Sequence, residues 1–246
     1  MAAAPRQTMT PDIFAIVTAY NEAERIGATL AALASAFPGV RLIVGDDGSS
    51  DATPQIAGAA GARLVRSERV IGKGGAASLA AQAALREADD GGGRAIFLLC
   101  DGDLGESARA LRALTDAIER GESDVAVAAF HTRLGGGFGL ALGFARWAIR
   151  RRCGLRTIAP ISGQRALSRT ALADVLPFAH GFGMELGMTI DAVRAGYRVT
   201  ELELQLSHRA SGRTLGGFAH RGGQLVDFAR AYLARGRLGR GRLARR

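Results

Sequence analysis

Ile96-Phe-Leu-Leu-Cys100 is an unbroken apolar run that ends on Asp101-Gly-Asp103. A strand with one wet face alternates in polarity, so a run without alternation must be covered on both faces, as strands of parallel sheets are. Comparable runs occur within Asp12 to Ala19, Arg41 to Gly45 and Asp124 to Ala129, and Ala62 to Arg66 reads as a shorter strand. Helical stretches separate them: one through Ala36, a short one before Gly58, then Ala76 to Ala88 and Ser107 to Glu119. Strand and helix in alternation with short links predict an α/β fold, a mostly parallel sheet with helices on both faces.

Open sheets of this kind bind ligands outside the C-terminal ends of their strands. Two pairs of carboxylates fall there, Asp46-Asp47 and Asp101/Asp103, with Gly102 letting the chain turn sharply between the second pair. Two hard oxygen donors suit Mg²⁺ or Mn²⁺ held partly by a diphosphate. Taken alone, Asp-x-Asp equally well starts a turn or caps a helix. The loop Ile71-Gly-Lys-Gly-Gly75 adds to the first reading, because Lys73 is the only lysine in a chain that otherwise uses arginine. A glycine-rich loop before a helix presents backbone N–H groups to phosphate, and a compact ammonium fits where a planar guanidinium does not. Asn21 and Glu24 have capping-box spacing for the first helix, which leaves Glu22 to face the site. Asp51 is placed to cap the next helix.

With 246 residues and 48% hydrophobic content, the chain can bury one good-sized core. Its start has no basic segment followed by an apolar run, and no apolar stretch approaches a membrane span, so a cytosolic protein is expected. Cys100 and Cys153 make neither a disulfide framework nor a metal pattern. The net charge of +9 is carried by arginine. From Arg230 to Arg246 the chain holds seven arginines and no acid. Such a tail is a solvated end first, a segment drawn to anionic lipid second, and a nucleic-acid binder last, since no aromatics interleave with it.

The second half breaks the rhythm. Gly135-Gly-Gly137 is a loop, and Phe138 to Ile149, with Trp147, is apolar almost all round and predicts a core helix first, with one lining an acceptor groove or touching a membrane as the alternatives. Ile161-Ser-Gly-Gln-Arg165 precedes a helix that stops before Pro177. Glu185 opens an otherwise apolar helix through Ala195, and Val199 to Leu206 alternates as an edge or exposed strand that ends at Ser207-His-Arg209.

Ala19-Tyr-Asn-Glu22, Asp46-Asp-Gly-Ser-Ser-Asp51, Gly72-Lys-Gly74, Asp101-Gly-Asp103, Ser162-Gly-Gln-Arg165 and Gly181-Phe-Gly-Met-Glu185 together resemble the GT-A glycosyltransferases of family 2, in the family's order. The likeness covers residues 12–215 as one GT-A domain, preceded by a disordered 1–11 and followed by a helical, basic extension at 216–246. It implies a donor site of Ala19, Glu22, Asp47, Lys73, Asp101 and Gly102, with Asp101, Asp103 and His208 as ligands of a divalent metal, Mg²⁺ or Mn²⁺. Asp103 and Glu185 are the implied catalytic groups, and Gly137, Ser162, Gly163, Arg165, Met184, Arg209 and Arg213 the implied acceptor contacts.

The second half looks more like glucosyl-3-phosphoglycerate synthases, through Pro177-Phe-Ala-His-Gly-Phe-Gly-Met-Glu-Leu-Gly187 and His208-Arg-Ala-Ser-Gly-Arg-Thr-Leu215. It departs from them where Gly137 is followed by Phe138-Gly-Leu-Ala141, without the arginine and hydroxyl residue that grip their acceptor. Dolichol-phosphate mannosyltransferases share the first-half motifs and suggest a polyprenyl-phosphate acceptor at the inner face of the membrane. The expectation is a metal-dependent transferase moving a hexose, glucose from UDP-glucose, to an anionic acceptor such as a phosphorylated small molecule. A homodimer is a further expectation, and nucleic acid is not expected as a partner. A nucleotide-sugar binding module without catalysis and a nucleotidyltransferase rank lower.

Overall fold

The computed structural model describes residues 10–130, 139–206 and 226–236. Among the described residues seven strands form one sheet: β1 (Asp12–Ala19), β2 (Arg41–Asp46), β3 (Arg63–Arg66), β4 (Ala95–Asp101), β5 (Val125–Phe130), β6 (Arg165–Ser168) and β7 (Val199–Leu204). Their spatial order is β3-β2-β1-β4-β6-β5-β7. All neighbours run parallel except at β6, which is antiparallel to both β4 and β5. The helices are α1 (Ile26–Ala36), α2 (Thr53–Ala59), α3 (Lys73–Gly91), α4 (Arg112–Glu119), α5 (Gly139–Cys153), α6 (Arg169–Val175) and α7 (Gly183–Arg194), with a 3-10 helix over Gly105–Leu111. A further helix, α8, spans 226–236.

The five first-half strands and the edge strand β7 are present, as expected from their patterning. β6 is the strand that the periodicity misses. Four residues are too few to show a period, and Arg165 interrupts their apolar character. The stretch expected as one helix from Ser107 is split, because Gly105–Leu111 winds as a 3-10 helix before α4 begins.

The capping box at Asn21 is absent. Asn21 takes a left-handed backbone (φ 55°) and its Oδ1 accepts the Ser50 N–H at 2.9 Å, tying the first loop to the second. Asparagine tolerates that conformation better than other side chains. Asp51, in contrast, does serve a helix start, accepting the Thr53 N–H at 2.9 Å and the Ala23 N–H at 3.1 Å.

One face of the sheet packs on α1 and α4 through Leu30, Leu33, Leu98 and Leu114. The other face packs on the alanine-rich α3 through Phe14, Ile16, Phe97 and Ala80. Fully burying such a side chain contributes roughly 1.5–3 kcal/mol. Small residues let α3 come close: a Cβ on Gly45 would stand 2.9 Å from the Ala76 carbonyl oxygen and 3.1 Å from Ala80 Cβ. A third cluster joins α5, α7 and α8 through Ala145, Ile149, Leu186, Ile190, Phe228 and Ala231. α8 is thus packed into the fold. α5 is a core helix on one side only: Ala145, Ala148 and Ile149 are buried, while Trp147 is half-exposed.

Candidate active site

β1 has β2 on one side and β4 on the other, so the connections diverge there and leave a crevice at the strands' C-terminal ends. Thr18, Asp46-Asp47 and Asp101 all lie at that end. β6 runs the opposite way, so its start arrives where β4 finishes, with Leu99 opposite Arg165. That reversal brings Ser162-Gly-Gln164 against Asp101. Gln164 Nε2 donates to Asp101 Oδ2 at 2.9 Å, and Thr18 Oγ1 donates to Asp101 Oδ1 at 3.1 Å. Sequence reading assigns neither residue a role, although Gln164 stands inside a motif it singled out.

Lys73, the first residue of α3, joins the two halves of the site. Its Nζ lies 2.7 Å from Asp101 Oδ1 and 2.9 Å from Glu185 Oε1 at the start of α7. Burial disfavours the ammonium charge, but Asp101 and then Glu185 outweigh that, and its pKa is raised above the ordinary lysine value. Gly163 is pressed against this pair, since a Cβ there would sit 2.6 Å from Lys73 Nζ and 3.1 Å from Asp101 Oδ2. Asp47 fixes the loop behind the lysine: its carboxylate accepts the Ile71 N–H at 2.7 Å and the Gly72 N–H at 3.0 Å. Gly72 has φ +83°, and a Cβ on Gly74 would meet the Ala179 carbonyl oxygen at 2.0 Å, so both glycines are required by the close approach of the 179–181 loop. Asp46 is fully buried and pairs with Arg66 Nε at 3.1 Å.

The remaining donor residues sit around this core. The Gly102 N–H donates to the Thr18 carbonyl at 2.9 Å, and a Cβ on Gly102 would be 3.6 Å from Glu22 Cβ, which puts Glu22 beside the turn. The Ala19 carbonyl accepts the Asp47 N–H at 3.0 Å. Asp103 follows the turn, with its Oδ1 shielded from solvent.

Three expected acceptor contacts are corrected. Arg165 has no exposed surface; its guanidinium donates to the Ser162 carbonyl and to Thr189 Oγ1, each at 2.8 Å. Desolvation pushes its pKa down to about 10, so it stays a cation at neutral pH, but as a strut of the core. Met184 is likewise buried, packed with Phe97, Leu99 and Met188. Ser162 is buried too, and its hydroxyl donates to Gln164 Oε1 at 3.2 Å. Glu185 is nearly buried against Lys73, an arrangement that suits orientation of a cation better than abstraction of a proton. Gly137, His208, Arg209 and Arg213 lie outside the described residues.

The donor set suits a hard divalent cation. Mg²⁺ and Mn²⁺ are held by one or two carboxylates and complete their shell with water and substrate phosphate, so two aspartates on one turn are sufficient anchors. Among the described residues no third His, Cys, Asp or Glu completes a protein cage.

The family model described as glycosyl transferase family 2 matches residues 14–175. Among curated proteins, none matches the chain significantly. Solved structures of glucosyl-3-phosphoglycerate synthase from Mycobacterium tuberculosis resemble it over most of both chains. Its complex with Mg²⁺ and uridine diphosphate matches at 26% identity with a TM-score of 0.72, covering 92% of this chain and 79% of that one. Its complex with Mn²⁺, UDP-glucose and phosphoglyceric acid matches at 26% identity, TM-score 0.69, with the same coverage. Its complex with Mn²⁺, uridine diphosphate and glucosyl-3-phosphoglycerate matches at 27% identity, TM-score 0.69, covering 92% and 80%. These likenesses confirm the expected GT-A sheet.

Proposed function

The chain belongs to glycosyl transferase family 2, and on that basis we propose that it transfers glucose from UDP-glucose, with Mg²⁺ or Mn²⁺, to a phosphorylated small molecule of the phosphoglycerate type. The observation that carries this reading is the bridge of Lys73 between Asp101 and Glu185 at the switch point of the sheet. Breaking the bond from the sugar to its diphosphate leaves negative charge on the departing oxygen. A preorganised cation there lowers the barrier because it needs no rearrangement as the charge appears. Asp101 and Asp103 would hold the divalent ion, and the chemistry it would supply there is neutralisation of the diphosphate charge. Asp47 acts on the donor through the loop it fixes, keeping Gly72 and Lys73 in place. Gln164 and Thr18 orient the Asp101 carboxylate, and Glu185 orients Lys73 from the opposite side. Solved structures of a relative with UDP-glucose, a divalent metal and phosphoglyceric acid support the choice of donor, metal and acceptor.

A cytoplasmic location fits the two free cysteines. The homodimer and the membrane contact through the basic tail remain our proposals for partners; a polyprenyl-phosphate acceptor is the competing one. The test is product formation: incubate the protein with UDP-glucose, Mn²⁺ and either phosphoglycerate or a polyprenyl phosphate, and detect the glucosylated acceptor by mass spectrometry. A glucosyl-phosphoglycerate product made by the parent and lost in Asp103→Ala supports the reading. Product only with the polyprenyl phosphate, or undiminished product from Asp103→Ala, refutes it.

A further inference from the structure

We propose that the face built by α5 and α8 docks on a bilayer carrying anionic headgroups, with Trp147 at its centre. Trp147 is 51% exposed, yet its ring is held in an aromatic cluster, 5.6 Å from the Phe144 ring and 5.1 Å from the Tyr232 ring. Arg152 closes the cluster, its guanidinium 3.6 Å from the centre of the Tyr232 ring. Apolar side chains are also exposed on the elements that carry the cluster or adjoin it: Leu233, next to Tyr232 on α8, is 64% exposed and Ile158 is 61% exposed. Ile158 is tied to α5 by Arg146, whose guanidinium donates to its carbonyl at 2.7 Å.

Among the described residues, the charge that α5 brings to this face is of one sign. α5 carries Arg146, Arg150, Arg151 and Arg152 and no acid. Arg150 and Arg151 follow Trp147 by three and four positions, so they share its side of the helix, and both are exposed. Asp227, Asp191, Glu185 and Glu201 on neighbouring elements are engaged elsewhere. On α8, Asp227 accepts the Phe182 N–H at 3.1 Å. On α7, Asp191 accepts from Arg235 Nε at 2.9 Å and Glu185 holds Lys73. On β7, Glu201 accepts the N–H groups of Ile158 at 2.7 Å and Ala159 at 2.8 Å.

An exposed tryptophan with aliphatic neighbours and a ring of arginines matches the headgroup boundary of an anionic membrane, where amphipathic rings settle and basic groups meet phosphate. A second copy of this chain is a poorer occupant, because a twofold contact pairs the patch with itself and would bring one basic surface against another. Among the described residues no helix is long and apolar enough to cross a membrane, so the contact is peripheral. It lies on helices behind α7 and involves no donor group, so it stands or falls separately from the transferase reading.

The chain has a single tryptophan, and its emission therefore reports this face alone. The full-length protein is mixed with vesicles of phosphatidylcholine containing phosphatidylglycerol, and with phosphatidylcholine vesicles, and followed by co-sedimentation and Trp147 fluorescence. The expected result is binding to the anionic vesicles only, a blue shift of emission, and reversal by high salt. Replacing both arginines, Arg150→Glu with Arg151→Glu, should weaken partitioning at least about tenfold, two reversed charges each acting through the surface potential. Leu233→Ser, at an exposed position that keeps the tryptophan and the charges, should reduce it as well. Absence of binding, or binding without an emission shift, overturns the proposal, as does full binding by both variants with unchanged melting temperatures. An emission shift produced by raising the protein concentration without vesicles overturns it in favour of a second copy.

Discussion

Gly163→Ala tests the core of the site with the smallest chemical change available. The added methyl would lie 2.6 Å from Lys73 Nζ and 3.1 Å from Asp101 Oδ2, well inside contact distance. Lys73 is the flexible partner, so the methyl is accommodated by pushing the ammonium away from Asp101, with little effect on the rest of the fold. What is lost is the 2.7 Å contact in a pocket where the lysine side chain is only 26% exposed. A charge-assisted hydrogen bond of this kind is worth roughly 1.5–3 kcal/mol, and each 1.4 kcal/mol or so is about tenfold in rate or affinity. Turnover of UDP-glucose, followed by UDP release, should therefore fall about 10- to 100-fold, while the melting temperature drops by no more than a few degrees. Gly74→Ala is the control with the opposite signature. Its methyl would meet the backbone oxygen of Ala179 at 2.0 Å, which cannot swing aside, so that protein should be strongly destabilised. A Gly163→Ala protein with parental turnover would refute the argument that the Lys73–Asp101 contact is part of the working site.

Other perturbations follow from the same geometry. Lys73→Met leaves Asp101 and Glu185 facing each other without their shared cation; turnover should fall at least about 100-fold, and parental turnover would contradict the role given to it. Glu201→Gln replaces one acceptor of the Thr157, Ile158 and Ala159 groups by an NH₂, so the loop leading to Gly163 and Gln164 should loosen and kcat should fall with a smaller change in thermal stability. Thermal unfolding against pH should show the Asp51 contribution: the Thr53 hydroxyl bond outweighs burial and lowers its pKa. A lowered carboxyl pKa gives stability that is present above the unfolded value and lost as pH falls through the folded one. Asp51→Asn has already lost that contribution, so its melting temperature should fall less than the parent's between pH 6 and pH 3, an equal fall counting against the assignment.

Much of this arrangement was written in local sequence, and the reasons differ by element. Apolar runs without alternation placed β1, β2, β4 and β5, because burial on both faces leaves a compositional mark at every position. The lone lysine marked Lys73, and the aspartates at strand ends marked the crevice. What could not be read were relations between distant segments. β6 is specified by the edge it fills between β4 and β5, and its arginine, which looked ready for an acceptor, is buried through contacts to Ser162 and Thr189. Gln164 meets Asp101 only because β6 runs antiparallel. Asn21 had the spacing of a cap, but its side chain bonds a loop 29 residues ahead. Met184 belongs to α7, whose residues from Gly183 to Ile190 are all buried, and a nearly uniform apolar pattern does not tell a side chain packed in the core from one lining a site.

The account rests on a donor site that works through a divalent metal, and the most direct measurement is the thermal shift produced by UDP-glucose with and without Mn²⁺. A ligand that binds only the folded protein stabilises it by an amount set by its concentration over its dissociation constant, about 2.7 kcal/mol at a hundredfold excess. The account predicts a rise in melting temperature with UDP-glucose and Mn²⁺ together that exceeds the sum of the two alone, and that disappears in Asp103→Ala. An equal rise without metal, or no rise with both present at saturating concentration, would contradict it.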